Sequence, residues 1–110
     1  MPAGGLPAWD DEVATSLPGK LILVGITYKD AEGAVVESVQ FFGRVVKAER
    51  ARGITLALEG GRSGETYVLP PDMRSLERAR PGEYRLRSTG EIVIDPDFLI
   101  TWIGDRPSKH

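Results

Sequence analysis

Apolar and polar residues alternate in short segments along most of this 110-residue chain. A repeat of two residues is the spacing of a β-strand with one buried face and one exposed face. On that spacing the sequence predicts seven strands, over residues 20–28, 34–49, 54–59, 65–69, 84–87, 92–94 and 98–103. Glycine- and proline-containing turns separate these segments, as expected for an all-β domain.

Two of the predicted strands depart from simple alternation. In residues 20–28, Ile22, Val24 and Ile26 form one apolar face while Leu21 and Leu23 begin a second. A strand that is apolar on both faces is covered on both sides, as happens inside a barrel.

Residues 34–49 form the longest segment, and their apolar pattern changes faces at Gly43. A glycine within a long strand is the usual site of a bulge or a sharp bend. Such a bend would let one strand serve both sides of a small barrel.

Two short helical segments are also predicted. Residues 7–16 contain three consecutive acidic residues that suit the positive end of a helix dipole. Asp72 can cap a helical turn that runs through Leu76 to Ala79. We therefore expect an N-terminal tail and short helix over 1–17, a β-barrel domain over 18–104 and a C-terminal tail over 105–110.

Composition narrows the possible chemistry. The chain has no cysteine, a single histidine at His110, and a net charge of −2. Serine–histidine and cysteine–histidine catalytic sets and zinc sites therefore lack their residues, so we expect no catalytic residue, cofactor or metal. No signal peptide and no membrane-length apolar run is visible, which favours a cytoplasmic protein that does not enter a membrane.

Carboxylates are the remaining catalytic or metal-binding candidates. Glu91, Asp95 and Asp97 are close in sequence and could offer oxygen ligands to a hard cation. Aspartates on either side of a proline are also common turn residues, and that interpretation is favoured here.

A basic cluster is the candidate nucleic-acid interface. Arg44, Lys47, Arg50 and Arg52 lie within nine residues, with Glu49 as the one acid among them. Arginine can bind phosphates with two hydrogen bonds and can stack on bases. No aromatic residue is interleaved with the cluster, so an ordinary solvated surface is the competing interpretation.

Three segments resemble the Sm-like family of small SH3-like barrels: residues 18–24 (Pro-Gly-Lys-Leu-Ile-Leu-Val), 42–46 (Phe-Gly-Arg-Val-Val) and 53–59 (Gly-Ile-Thr-Leu-Ala-Leu-Glu). The resemblance implies a short N-terminal helix, a strongly bent antiparallel barrel and assembly through strand edges. The Asp and Asn that the RNA-binding members carry between the second and third strands are not present in residues 47–52. This chain also continues into an extra C-terminal hairpin.

These observations favour a non-catalytic interaction module that pairs its sheet edges with itself, as a homo-oligomer, or with another protein. A divergent Sm-like RNA-binding protein is the alternative, and an enzyme that uses carboxylates alone is the third hypothesis.

Overall fold

The computed structural model describes residues 6–105, so residues 1–5 and 106–110, including His110, lie outside the described part of the chain. The fold is mostly β, with one short α-helix and a 3₁₀ turn at Gly60–Arg62 in the described residues. In chain order the elements are α1 (Asp11–Ser16), β1 (Leu21–Lys29), β2 (Val35–Glu49), β3 (Gly53–Leu58), β4 (Thr66–Leu69), β5 (Leu76–Arg78), β6 (Glu83–Arg85), β7 (Ile92–Ile94) and β8 (Phe98–Asp105). None of the helices within residues 6–105 is long and apolar enough to cross a membrane.

Six of the strands form one sheet in the order β4-β3-β2-β1-β8-β5. The sheet is open, because β4 and β5 form its two ends and do not pair with each other. The expected closed barrel is therefore not confirmed. The expectation of a wholly antiparallel sheet is wrong, because β8 pairs with β1 in parallel, from Ile22 beside Phe98 to Lys29 beside Asp105. The long chain excursion through β5, β6 and β7 brings β8 back to run in the same direction as β1.

A continuous core covers one face of this sheet. Alternate residues of β1 to β5 and of β8 point into it, and Ala14 and Leu17 cover it from the N-terminal side. The fully buried members with the largest side chains in this core are Leu17, Ile22, Ile54, Leu56, Leu69, Met73, Ile100 and Val24. The two end strands of the sheet, β4 and β5, both contribute side chains to this one core. The sheet therefore curls around it.

The opposite face of the sheet is covered by the hairpin of β6 and β7, which forms a separate two-stranded sheet. Leu86 and Val93 from the hairpin segment pack on Leu21, Leu23 and Phe42. The prediction that residues 21–24 are buried on both faces is thus confirmed. An additional hairpin exists, but it is not C-terminal as expected, because β8 follows it and pairs with β1. The hairpin covers this second core.

Strand β2 continues through Gly43, and its ladder with β3 is irregular between Val45 and Lys47. A Cβ atom on Gly43 would lie 2.5 Å from the Ala57 carbonyl oxygen and 2.9 Å from the Leu58 Cα. The glycine is therefore required by the close approach of β3, while the bulge lies two residues further along.

Both helical predictions need correction. Helix α1 is shorter than expected and begins after Asp10, whose Oδ1 accepts a hydrogen bond from the Val13 N–H at 3.0 Å. The predicted helical turn after Asp72 is wrong, because β5 occupies residues 76–78 and pairs with β8. Burial of Leu76 in the core and pairing with β8 outweigh the local helical preference.

Candidate functional site

The basic cluster predicted from the sequence is largely neutralised by ion pairs. The Arg44 Nε lies 3.2 Å from a Glu59 carboxylate oxygen. The Arg50 Nη2 lies 2.8 Å from the Asp11 Oδ2, in helix α1. Exposed pairs of this kind add little to stability, but they place an acid beside each of these cations.

The other two members of the cluster do not create a strong positive patch. The Lys47 Nζ lies 3.7 Å from the Glu49 Oε1, and Arg52 has no ion pair within residues 6–105. Lys47 and Arg50 line one shallow depression beside α1, and neither Arg44 nor Arg52 contributes to it. The structure therefore does not gather the four predicted residues into a single phosphate-binding surface.

Trp9, near this depression, precedes helix α1 and packs against the core. Its indole N–H donates a hydrogen bond to the Asp11 Oδ1 at 3.1 Å. These contacts dock the N-terminal segment onto the sheet.

The three candidate carboxylates each hold a different backbone N–H. Glu91 accepts from Gly61 at 2.8 Å, Asp95 from Gly82 at 2.7 Å and Asp97 from Leu21 at 2.8 Å. Across the described residues no group of three or more acidic or histidine side chains is arranged to hold a metal ion. Asp95 and Asp97 lie in the bend between β7 and β8, and their carboxylates bind backbone N–H groups of distant segments.

A different feature emerges where the sheet is open. A groove of about 230 Å³ separates β4 from the outer half of β8, and we call it the seam. One wall comes from β4 and the residue after it, the other from β8, and β1 supplies the floor. The residues that line the seam are Ile26, Tyr28, Tyr67, Leu69, Pro70, Trp102, Ile103 and Gly104.

Unpaired backbone groups border the seam on the β8 side. The carbonyls of Asp97 and Thr101 accept hydrogen bonds from Ala79 and Ser75, so odd-numbered residues of β8 direct their backbone groups toward β5. Strand β5 pairs only with residues 98–100 of β8. By alternation, Ile103 and Asp105 direct their N–H and C=O groups toward the seam, where the described residues offer no strand to accept them.

The β4 side of the seam is also bordered by backbone groups that no described strand pairs with. The Leu58 N–H donates to the Glu65 carbonyl, so alternate residues from Glu65 onward face β3. Thr66 and Val68 consequently direct their backbone groups away from β3 and into the seam. Val68 is 51% exposed and Ile103 is 68% exposed, so apolar side chains flank both edges.

Aromatic side chains give the seam its chemistry. The Tyr67 ring lies 4.8 Å from the Phe41 ring, and the Arg62 guanidinium lies over Phe41 at 4.9 Å. Burial raises the pKa of the Tyr67 hydroxyl, Tyr28 adds to this effect, and Arg62 opposes it. The indole Nε1 of Trp102 is buried without a hydrogen-bond partner in the part of the chain that the structure describes.

Sequence reasoning did not locate the seam, although the number and type of its strands were largely predictable. Tyr28, Tyr67 and Trp102 lie within strands and pack against the core, as ordinary core residues do. Only the strand order reveals that they lie at an opening.

Comparison of the chain with family models, with curated proteins and with solved structures finds no match.

Proposed function

We propose that this protein is a non-catalytic interaction module that binds an extended strand at the seam, supplied by a second copy of the chain or by another protein. The observation that carries the proposal is the pair of strand edges, β4 and the outer half of β8, that no described strand pairs with and that lie across one apolar groove. Unpaired edges pair readily with an added strand, whose main-chain hydrogen bonds supply affinity.

The groove also suits the side chains of such a strand. Successive side chains of an extended segment point to opposite faces. Those that point inward would meet Tyr28, Tyr67 and Trp102, and those that point outward would lie beside Val68 and Ile103. A segment with apolar residues at alternate positions fits this arrangement best. A backbone or side-chain oxygen of the segment could accept the hydrogen bond that the buried Trp102 Nε1–H lacks within the described residues.

The length of the edge limits what can bind. β4 has four residues and is followed by Pro70 and Pro71, which cannot donate backbone hydrogen bonds. On the other wall, the unpaired part of β8 spans residues 102–105. The bound segment would therefore pair over roughly four residues, the length of the shorter edge.

A strand in the seam would bridge the two open edges and complete a closed, strongly bent barrel. This proposal links the Sm-like resemblance to the open sheet, since such barrels assemble through strand edges. The RNA-binding alternative receives less support, because the described partners of Arg44, Lys47 and Arg50 are acids.

Two measurements on the full chain test the proposal. Light scattering coupled to size-exclusion chromatography, over a wide concentration range, detects pairing between copies. Selection from a displayed peptide library, followed by nuclear magnetic resonance mapping, detects binding of another segment.

The decisive variant is Ile103→Pro, which removes a backbone donor at the seam, and Ile103→Thr is the control that keeps this donor and the branched side-chain shape. We expect dimerisation or peptide binding that survives in the threonine variant and is lost in the proline variant, with both variants folded by circular dichroism. If proline unfolds the chain, Val68→Pro on the opposite wall replaces it, with Val68→Thr as its control. A monomer at all concentrations that also selects no peptide contacting β4 or β8 contradicts the proposal.

A further inference from the structure

A second concave surface lies on the outer face of the sheet, away from the seam. It is a cavity of about 620 Å³ between β1, β2, β8 and the turn that follows β6. Gly25 lies in its floor, and a Cβ atom there would contact only the Thr101 Cγ2, at 3.9 Å. The missing side chain at Gly25 therefore leaves open space above the sheet.

The wall of this cavity is held by hydrogen bonds between β2 and the turn. The Gln40 Oε1 accepts hydrogen bonds from the backbone N–H groups of Arg87 and Ser88. The Gln40 backbone N–H in turn donates to the Ser88 Oγ at 3.3 Å. These contacts join residues 47 and 48 positions apart in the chain and hold Arg87 at the rim of the cavity.

Each of the polar side-chain groups that remain can donate a hydrogen bond. Because the Gln40 Oε1 is already occupied, the Nε2 group of the same amide remains as a donor. The hydroxyls of Thr27, Ser38 and Thr101 make no hydrogen bond to another described residue, and all three residues line the cavity. Hydroxyls can both donate and accept, so they suit a ligand that carries hydroxyl groups of its own.

Arg87 gives the cavity its charge. Among residues 6–105 it is the only charged residue that lines the cavity, and its guanidinium has no ion pair with any of them. Unlike the cations of the basic cluster, with Asp11, Glu49 and Glu59 as partners, it is therefore available to an external anion. A guanidinium binds phosphate oxygens with two parallel hydrogen bonds.

We propose that this cavity binds a phosphate monoester with a small hydroxylated body, a ligand of the sugar-phosphate class. Arg87 and the Gln40 amide donate to the phosphate, and the hydroxyls of Thr27, Ser38 and Thr101 hydrogen-bond to the body. The volume is in the range of small-molecule sites, about 300–1,000 Å³. This function is independent of strand binding at the seam. Gly25, Thr27 and Thr101 lie on the face of the sheet opposite the core that contains Ile22 and Val24.

The test is a nuclear magnetic resonance titration of the full ¹⁵N-labelled chain with three probes: glucose 6-phosphate, inorganic phosphate and glucose. We expect saturable shifts of the amides of Gly25, Gln40 and Ser88 with glucose 6-phosphate. Inorganic phosphate binds the same residues more weakly, and glucose more weakly still. Equal affinity for both phosphates would overturn the assignment of a hydroxylated ligand, and shifts that do not saturate would overturn the site itself.

Matched variants identify the groups responsible. Arg87→Gln should weaken binding of glucose 6-phosphate at least about tenfold, because a hydrogen bond to a charged group is lost. Arg85→Gln, which removes an exposed arginine of β6 outside the cavity, should leave the affinity within about twofold. Equal losses in the two variants would mean a general charge effect and would overturn the proposal.

Gly25→Val provides a second, steric test. The new side chain fills the floor of the cavity where the structure leaves space, and valine is favoured in strands. We expect a folded protein whose spectrum no longer responds to glucose 6-phosphate. An unchanged affinity in this variant contradicts the proposed location.

Discussion

The close packing of β2 on β3 can be tested by substituting alanine for glycine at two positions. At Gly43 an added Cβ would lie 2.5 Å from the Ala57 carbonyl oxygen and 2.9 Å from the Leu58 Cα. Both obstacles are backbone atoms of β3, so no side chain can rotate away to make room. At Gly25, in the neighbouring β1, the nearest atom would be 3.9 Å away. The two substitutions are chemically identical and differ only in the space available.

The expected magnitudes follow from opposing effects. Glycine in a strand interior is less favourable than alanine by roughly 0.5–1 kcal/mol, because it loses more conformational freedom on folding. Gly25→Ala should therefore stabilise the fold by about that amount. Forcing extra atoms into a packed site costs about 1–3 kcal/mol, and at Gly43 the upper part of that range applies because the obstacle is backbone. The net effect of Gly43→Ala is a destabilisation of about 1–2 kcal/mol.

The assay is urea unfolding of both variants and of the unchanged chain, followed by circular dichroism. Free energies of unfolding should differ between the two variants by about 1.5–3 kcal/mol, and should decrease in the order Gly25→Ala, unchanged chain, Gly43→Ala. Equal slopes of the free energy of unfolding against urea concentration would show that all three proteins unfold from the same compact state. If Gly43→Ala is as stable as Gly25→Ala, β3 does not approach β2 as the structure describes.

Three further predictions concern the helix, a surface ion pair and the second core. Asp10→Ala removes the hydrogen bond to the Val13 N–H and should lower the free energy of unfolding by about 1 kcal/mol in urea; no loss would contradict the cap. Arg74 lowers the Asp72 pKa to about 2 through its hydrogen bonds, so Arg74→Gln should raise that pKa toward 3.8 in a carboxyl ¹³C titration. Because folding lowers the Asp72 pKa, the stability that ionised Asp72 contributes is lost as the pH falls from about 4 to about 2. An unshifted Asp72 titration midpoint in the Arg74→Gln variant would contradict the pairing. Leu86→Ala should cost about 2–5 kcal/mol, since its side chain is fully buried between hairpin and sheet; a loss below about 1 kcal/mol would contradict that packing.

Much of the strand content could be predicted from the alternation of apolar and polar residues alone. A strand with one buried and one exposed face leaves this pattern in the sequence whatever its partners are. Leu21 and Leu23 on one face and Ile22 and Val24 on the other indicated a strand covered on both sides, and both cores are present. The start of helix α1 was also readable within a few residues from the acidic run that includes Asp10.

The remaining features depend on contacts between residues distant in the sequence. Nothing in the local pattern indicates that β8 returns parallel to β1, or that residues 76–78 pair with β8 and form a strand. The basic cluster looked positive in sequence, but Glu59 and Asp11 approach it only after folding. The contact between Gln40 and Arg87 spans 47 positions and could not be inferred from either segment.

Amide hydrogen exchange at Ile103 and Val68 is the most direct measurement of whether the seam is a strand-binding site. In dilute protein both amides should exchange rapidly, while the Val24 amide in the centre of the sheet should be protected. On concentration, or on addition of a peptide selected for binding, exchange at Ile103 and Val68 should slow together as the added strand accepts their hydrogen bonds. Protection of both amides already present in the dilute monomer, or rapid exchange that neither treatment changes, would contradict the account.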